Sequence, residues 1–226
     1  YTDLSAGQNG SASVNNYNGN LVYAQPVTTD CGGNLMPVEL SLVYNSNGTQ
    51  PPYTLFRCNV QTNYHIYIRY DGANAANGYK YYLNDSDGTR HWFYFESGST
   101  SGKDEDGLGY TLYEIAGGSD SNEPNAHYKI ADADGNLMFF DYYGNVIRIQ
   151  NCSGVSSTVQ YEAVGNIIRI KTITDGAGRQ YSFAYVQNSP ELCIGMHDPS
   201  GRYVSFLFGY GSSLSIFFND NKSISL

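Results

Sequence analysis

Asp132-Ala133-Asp134-Gly135-Asn136-Leu137-Met138-Phe139-Phe140 runs without a break into Asp141-Tyr142-Tyr143-Gly144-Asn145-Val146-Ile147-Arg148-Ile149. Both halves place a Gly three residues after an Asp and a large apolar residue five residues after the Gly. The Phe-ended form recurs from Asp85 through Gly88 to Phe93, from Asp175 through Gly178 to Phe183 and from Asp198 through Gly201 to Phe206. A weaker Ile-ended form starts at Glu162 and passes through Gly165 to Ile170. A phrase kept at both spacings is the signature of a repeat array.

The phrase carries the chemistry of a hairpin. Asp bonds the backbone ahead of it and opens a turn, and Gly accepts the positive φ that the turn requires. The flanks alternate with a period of two: Tyr181, Phe183 and Tyr185 oppose Gln180, Ser182 and Ala184, and Ile168, Ile170 and Thr172 oppose Arg169 and Lys171. That period predicts strands. One hairpin cannot bury its apolar face alone, so the expected architecture is all-β, an antiparallel meander of stacked hairpins forming a large curved sheet. A β-sandwich is the alternative. The predicted turn residues are Asp85, Gly88, Asp132, Gly135, Asp141, Gly144, Gly165, Asp175, Gly178, Asp198 and Gly201. The predicted repeat core is Phe93, Phe140, Ile149, Ile170, Phe183 and Phe206.

Composition agrees. The 226 residues include 22 Tyr, 10 Phe, 25 Gly and a single Trp, a bias toward strands and turns. No window has helical periodicity. The net charge of −9 argues against nucleic acid or an anionic membrane as partner, since either would want a basic stripe. No apolar run reaches transmembrane length, so membrane insertion is not expected. The chain opens at Tyr1 and reads as a cut piece or a matured product. Cys31, Cys58, Cys152 and Cys193 lack paired spacing, and their disulfide state stays open.

Upstream of the array, residues 1–20 read as an irregular Gly/Ser/Asn arm, followed by a strand from Leu21 and a loop over 27–34. Val38, Leu40, Leu42 and Tyr44 share one face of a strand over 37–45, and Tyr64, Ile66, Ile68 and Tyr70 share one face of another. Residues 79–83 and 89–96 form a hairpin about the Asp85 turn. Residues 97–109 read as a disordered loop or insertion, 110–115 as strand and 117–125 as a second polar loop. The soft boundary divides a lead-in, 1–126, from repeats over 127–226, within one continuous β domain.

Thr174-Asp175-Gly176-Ala177-Gly178-Arg179-Gln180-Tyr181-Ser182-Phe183-Ala184-Tyr185 resembles the repeats of the RHS/YD-repeat family, large bacterial surface and secreted proteins that include polymorphic toxins. Asn9-Gly10-Ser11-Ala12-Ser13-Val14, Asn18-Gly19-Asn20-Leu21-Val22 and Leu40-Ser41-Leu42-Val43-Tyr44-Asn45-Ser46 are similar to the lead-in of such proteins. Residues 51–78 and 97–126 carry no match. The resemblance implies a secreted or cell-surface structural module, wall of a β-shell that encloses or presents a C-terminal effector. Its partner would be the rest of its own parent chain. The family's self-cleavage segment is absent: Asp198-Pro199-Ser200-Gly201 is followed by Arg202 where Leu is usual, and it sits in phase with the repeats.

No catalytic constellation stands out. His65, His91, His127 and His197 are scattered, and no nucleophile elbow or P-loop is present. His65 and His91, in predicted strands, are candidates to meet across the sheet. The pairs Asp132/Asp134 and Asp85/Asp87 invite calcium, but neither has the further acidic ligand in register that an EF-hand loop needs, and the turn already accounts for them; no metal and no cofactor are expected. Tyr81, Tyr82, Trp92 and Tyr94 form the candidate ligand-binding surface, since aromatic faces pack on sugar rings. They support the alternative of a carbohydrate-binding module for cell-surface glycan. A truncated sheet should also leave apolar edges that promote self-association.

Overall fold

A computed structural model describes residues 2–5, 10–14, 20–28, 35–46, 60–118, 120–208, 214–218 and 223–225. The fold is all-β and antiparallel, with no α-helix among the described residues. A first sheet contains β1 (Thr2–Ser5), β2 (Ser11–Val14), β3 (Leu21–Pro26), β4 (Ser41–Asn45) and β5 (Val60–Thr62), in that order. The second sheet begins with β6 (Tyr67–Tyr70), β7 (Tyr79–Asn84), β8 (Arg90–Phe95), β9 (Ser101–Asp104) and β10 (Thr111–Glu114). It continues through β11 (Tyr128–Ala131), β12 (Leu137–Phe140), β13 (Val146–Gln150), β14 (Ser156–Val164) and β15 (Ile167–Thr174). It ends with β16 (Gln180–Val186), β17 (Ser189–His197), β18 (Tyr203–Phe208), β19 (Leu214–Phe218) and β20 (Ser223–Ser225). Within each sheet every strand neighbours its sequence neighbours, the order of stacked hairpins, and the sheets do not close into a barrel.

The repeated phrase builds one turn many times. In the copy at 175–179 the Asp175 amide donates to the Arg179 carbonyl (3.0 Å) and the Gly178 amide to the Asp175 carbonyl (3.0 Å). Asp175 Oδ1 accepts the amides of Ala177 (2.9 Å) and Arg179 (2.8 Å), while Oδ2 takes Arg179 Nε at 2.6 Å. The copies at 132–136, 141–145 and 198–202 keep this frame, with Asn136, Asn145 or Arg202 returning its side chain to Oδ2. The preference for Asn or Arg after the Gly thus has a cause: that residue closes the loop onto the Asp. Gly178 has a φ of 80° and Gly201 one of 82°, in the left-handed region where a side chain is strained.

Three turns depart from the reading. Asn151-Cys152-Ser153-Gly154 builds the same frame with an amide in place of the carboxylate, Oδ1 accepting the amides of Ser153 and Val155 at 3.0 Å each. Glu162 opens no such turn. It lies in β14 and grips Arg169 of β15, while Gly165 and Asn166 alone join the strands as a short loop. At 85–89 the backbone frame is kept, but Thr89 is held by Asp87 and the Asp85 carboxylate is released toward His91.

The chain divides into two compact units, Tyr64–Thr158 and a second made of Tyr1–Asn63 with Val159–Leu226. In the second unit the reading of 1–20 as an irregular arm is corrected: Thr2–Ser5 and Ser11–Val14 pair as a hairpin, and β2 pairs on to β3. These strands are short and polar, so period-two apolarity does not reveal them. Residues 29–34 and 47–59, with Cys31 and Cys58, lie outside the described residues. Val38, Leu40 and Leu42 are buried as expected, but ladder pairing starts only at Ser41. Before it the chain is held by Thr28, whose hydroxyl donates to the Val38 carbonyl (2.9 Å) and accepts the Leu40 amide (2.9 Å). Ile170, Ile173, Tyr181, Met196, Phe206 and Ile216 are buried in this unit, whereas Phe183 is half-buried. A register irregularity begins one residue beyond Phe183, at Ala184/Tyr185, and interrupts the even packing of that stretch.

In the unit Tyr64–Thr158, residues Ile68, Leu83, Phe93, Phe95, Leu112, Ile130 and Phe140 are buried. Ile68 faces Leu83, Leu112 faces Ile130 and Tyr128 faces Phe140 across the ladders. Ile149 is only half-buried, because one of its cross-strand neighbours is the small Ser157. The disordered loop expected over 97–109 is also corrected: it contains β9, paired on both sides. Its Ser-Gly-Lys-Asp sequence has no apolar residue, and Phe95 supplies the apolar contact by lying where a Gly102 side chain would stand. At the end of β9, Asp104 accepts the amides of Leu108 and Tyr110 at 2.7 Å each and orders the connection to β10.

The first strand of this unit is tied back to its second-last hairpin. The Ile68 amide donates to the Gly144 carbonyl (2.7 Å) and the Val146 amide to the Ile66 carbonyl (3.1 Å), with Tyr67 and Asn145 as bridge partners. Arg69 Nη1 reinforces the contact by donating to the carbonyls of Ile68 (2.8 Å) and Tyr143 (2.7 Å). Gly144 is required here, since a side chain on it would run into the Ile68 carbonyl.

Candidate functional site

Tyr82, Trp92 and Tyr94 share one face of β7 and β8, and Tyr81 lies on the other. The ladder pairs Arg69 with Tyr82 and Tyr82 with Trp92. The Tyr82 and Trp92 rings stand 5.6 Å apart, with the Arg90 guanidinium 4.9 Å over Tyr82. Trp92 Nε1 donates to Asp71 Oδ2 at 3.1 Å, and the same carboxylate oxygen takes Asn74 Nδ2 at 2.8 Å. These bonds hold the Asp71 carboxyl below the usual carboxylate range, the Asn74 contribution being the largest. Tyr94 is exposed and packs edge-on against Tyr79 at 5.5 Å. A shallow cleft of about 390 Å³ adjoins it, lined by Asn77, Lys80, Tyr94, Glu96 and Ser97 among others.

Tyr81 is instead the hub of a second cluster on the buried face. Its hydroxyl donates to Glu114 Oε1 at 2.6 Å, and its ring meets Tyr70 at 5.6 Å, Tyr128 at 5.4 Å and Phe95 at 5.6 Å. Burial, then the bond to Glu114, pushes the Tyr81 phenol far above its ordinary value. Lys80 Nζ lies 3.8 Å from Glu114 Oε2 and 5.1 Å above the Phe95 ring. Tyr142 stacks edge-on with His127 at 5.2 Å and with Tyr143 at 5.5 Å. Tyr142 also acts electrostatically on the Tyr128 phenol, whose upward shift comes first from burial. The bridge from Ile68 to Gly144 joins the strand that bears Tyr70 to the turn that bears Tyr142 and Tyr143.

At the opposite end of the same strands, His91 Nδ1 lies 2.7 Å from Asp106 Oδ2 and its Nε2 3.7 Å from Asp85 Oδ2. His65 packs edge-on against Tyr67 at 5.2 Å, and its Nε2 is buried without a hydrogen-bond partner. Burial, aided by Arg69, lowers the His65 imidazole to about 4. The two histidines singled out in the sequence thus have separate partners. Tyr110 has its phenol raised, first by burial and then by Asp85, Asp132 and Asp104, which places these three turns around it. Among the described residues no group of three or more His, Cys, Asp or Glu side chains is arranged to hold a metal ion. Asp132 commits both oxygens to its own turn.

Cys193 is buried and Cys152 exposed, both as thiols. Burial pushes the Cys193 thiol up to about 12, far from the thiolate character a nucleophile needs.

Of the four aromatic residues singled out in the sequence, Tyr82, Trp92 and Tyr94 share a face and Tyr81 does not, and the cluster around Tyr81 was missed. One signal was present. The two central residues of the repeat turn are Ser86-Asp87, Ala133-Asp134, Cys152-Ser153, Gly176-Ala177 and Pro199-Ser200 in five copies, and Tyr142-Tyr143 in one. No family model matches the chain, and no curated protein matches it.

Proposed function

We propose that this chain is a non-catalytic structural module of the RHS/YD-repeat type, secreted or displayed at a bacterial cell surface, contributing wall to a β-shell around or beneath a C-terminal effector. The observation that carries this reading is the turn itself. Asp132, Asp141, Asp175 and Asp198 are each committed to holding a hairpin in an uninterrupted sequential meander, so the repeated residues serve stacking and are not free for chemistry. The partners are then further repeats of the same parent chain. Strand edges left without such neighbours favour self-association.

The parent gene tests the proposal. Further Asp-x-x-Gly hairpins on the C-terminal side, followed by a variable domain, are the expected finding. A stop codon directly after Leu226 overturns the shell. Light scattering at high protein concentration should show species larger than a monomer, and a clean monomer overturns the self-association.

A second reading is a carbohydrate-binding module. It is favoured by the aromatic side chains of the unit Tyr64–Thr158, which are exposed or half-buried in ring contact with one another.

A further inference from the structure

The three most exposed large apolar side chains among the described residues are Tyr142 (69%), Tyr70 (62%) and Tyr143 (62%); Tyr70 packs on Tyr81, and Tyr142 packs on Tyr143 and acts electrostatically on Tyr128. Burying aromatic surface is favourable, and a contiguous group left in water marks a binding site more often than chance exposure does. The repeat turn gives no reason for them. Its frame is made by the Asp, the Gly and the residue after the Gly, and the other five copies carry mainly small or polar residues at the two central positions. Tyr142 and Tyr143 therefore answer to something outside the hairpin.

We propose that this tyrosine-rimmed mouth is a saccharide site taking a neutral sugar ring, an inference that rests on the carbohydrate-binding reading and moves its site away from Trp92 and Tyr94. The rim consists of Tyr70, Tyr142 and Tyr143, and the floor of Tyr81, Tyr128 and the Glu114–Lys80 pair. Tyrosine offers an apolar face to the C–H side of a pyranose and a hydroxyl that both donates and accepts. Glu114 has lone pairs beyond those used by Tyr81 and Lys80, and it is about one-third exposed. Carboxylate beside ammonium gives a floor without net charge. An anionic ligand would face Glu114 and a cationic one Lys80, whereas a polyol can donate to the first and accept from the second. The bridge between Ile68 and Gly144 sets the spacing of the rim, since it joins the strand bearing Tyr70 to the turn bearing Tyr142.

The experiment compares the wild-type chain with the Tyr70→Ala/Tyr142→Ala double variant, Tyr142→Phe and Tyr94→Ala. The probes are immobilised cellohexaose, mannohexaose, chitohexaose and, as the anionic control, heparin oligosaccharide, followed by titration calorimetry. Near-ultraviolet circular dichroism verifies that each variant is folded, which the exposure of these side chains favours. The expected result is saturable binding of a neutral hexasaccharide, weakened roughly tenfold or more in the double variant, as loss of about 1.4 kcal/mol dictates. Tyr94→Ala should stay close to wild type, while Tyr142→Phe, which keeps the ring and loses the hydroxyl, should weaken binding, but less than the double variant. Binding abolished by Tyr94→Ala and kept by the double variant overturns the mouth and leaves the carbohydrate reading standing. Saturable binding to heparin alone overturns the neutral ligand. Absence of saturable binding to every probe by the folded wild-type chain overturns both the site and the reading beneath it.

Discussion

Arg179 Nε donates to Asp175 Oδ2 at 2.6 Å across a turn in which the Asp175 side chain is wholly buried, whereas the matching Arg202–Asp198 pair, at 2.7 Å, has an arginine that is largely exposed. The same sequence phrase therefore has different energetic weight in its two copies. Removing a buried acceptor leaves its donors unsatisfied at about 1–3 kcal/mol, while an exposed ion pair is worth about 0–1 kcal/mol. Asp198 is itself only 9% exposed and loses two amide donors besides its open arginine partner, so Asp175→Ala should lower the free energy of unfolding by about 3 kcal/mol and Asp198→Ala by about 1–2 kcal/mol. Urea denaturation followed by fluorescence measures both, and equal losses would show that burial does not rank these turns.

Acid should destabilise the protein in two steps of different origin. The His65 imidazole titrates near 4 in the fold, lowered by burial, against about 6.5 unfolded. Between those values the unfolded chain binds the extra proton, so stability falls as pH drops from about 6.5 to about 4. Asp132 and Asp198 act lower. Burial raises both carboxyls, but hydrogen bonds, led by Asn136 for Asp132 and by Ser200 and Arg202 for Asp198, outweigh it and hold them below the usual range. Their contribution is present above the unfolded value near 4 and is lost as pH falls further. Thermal midpoints between pH 8 and 2 should show both slopes. His65→Gln should remove the upper one alone, and an unchanged upper slope in that variant would refute the assignment.

Asp141 has the opposite sign. Its carboxyl is raised, chiefly by burial, despite the bonds it accepts from Asn145. A raised carboxyl means that the fold holds the proton more tightly, so ionisation above the folded value costs stability. Asn151 shows that an amide can build this turn. Asp141→Asn should therefore raise the thermal midpoint at pH 7, whereas Asp132→Asn should lower it. A fall in both variants would mean that the Asp141 carboxylate is needed in its charged form.

What the sequence disclosed follows the range of the interactions. The turn bonds join residues no more than four apart, so Asp132, Asp175 and Asp198 declare their roles in the phrase itself. The alternation around Phe93 and Ile170 is equally local, and both residues are buried. Glu162 has the right spacing but the wrong length for the turn, and it pairs with Arg169 across the hairpin. Strand β9 was hidden because its apolar cover comes from Phe95 on the neighbouring strand. The tyrosine mouth was hidden because it depends on register: Tyr70, Tyr81, Glu114 and Tyr142 meet only once the strands are aligned and the first is tied back to Gly144.

That tie makes Gly144 the most sensitive glycine among the repeat turns. Its φ of 76° resembles the 80° of Gly178, so a side chain strains both turns alike. The surroundings differ: nothing lies within 4 Å of a side chain added at Gly178, whereas at Gly144 the Ile68 carbonyl blocks it. Gly178→Ala should cost about 1 kcal/mol, from backbone strain alone. Gly144→Ala adds the loss of the main-chain bond from Ile68 and should cost about 2–3 kcal/mol. Hydrogen exchange separates the two effects, because the Ile68 amide should lose protection in Gly144→Ala and keep it in Gly178→Ala. The same opening should pull Tyr70 away from Tyr142 and weaken any ligand held at the mouth. Retained Ile68 protection in a folded Gly144→Ala variant would show that the strand is held by its ladder to β7 and that the tie to the turn is incidental.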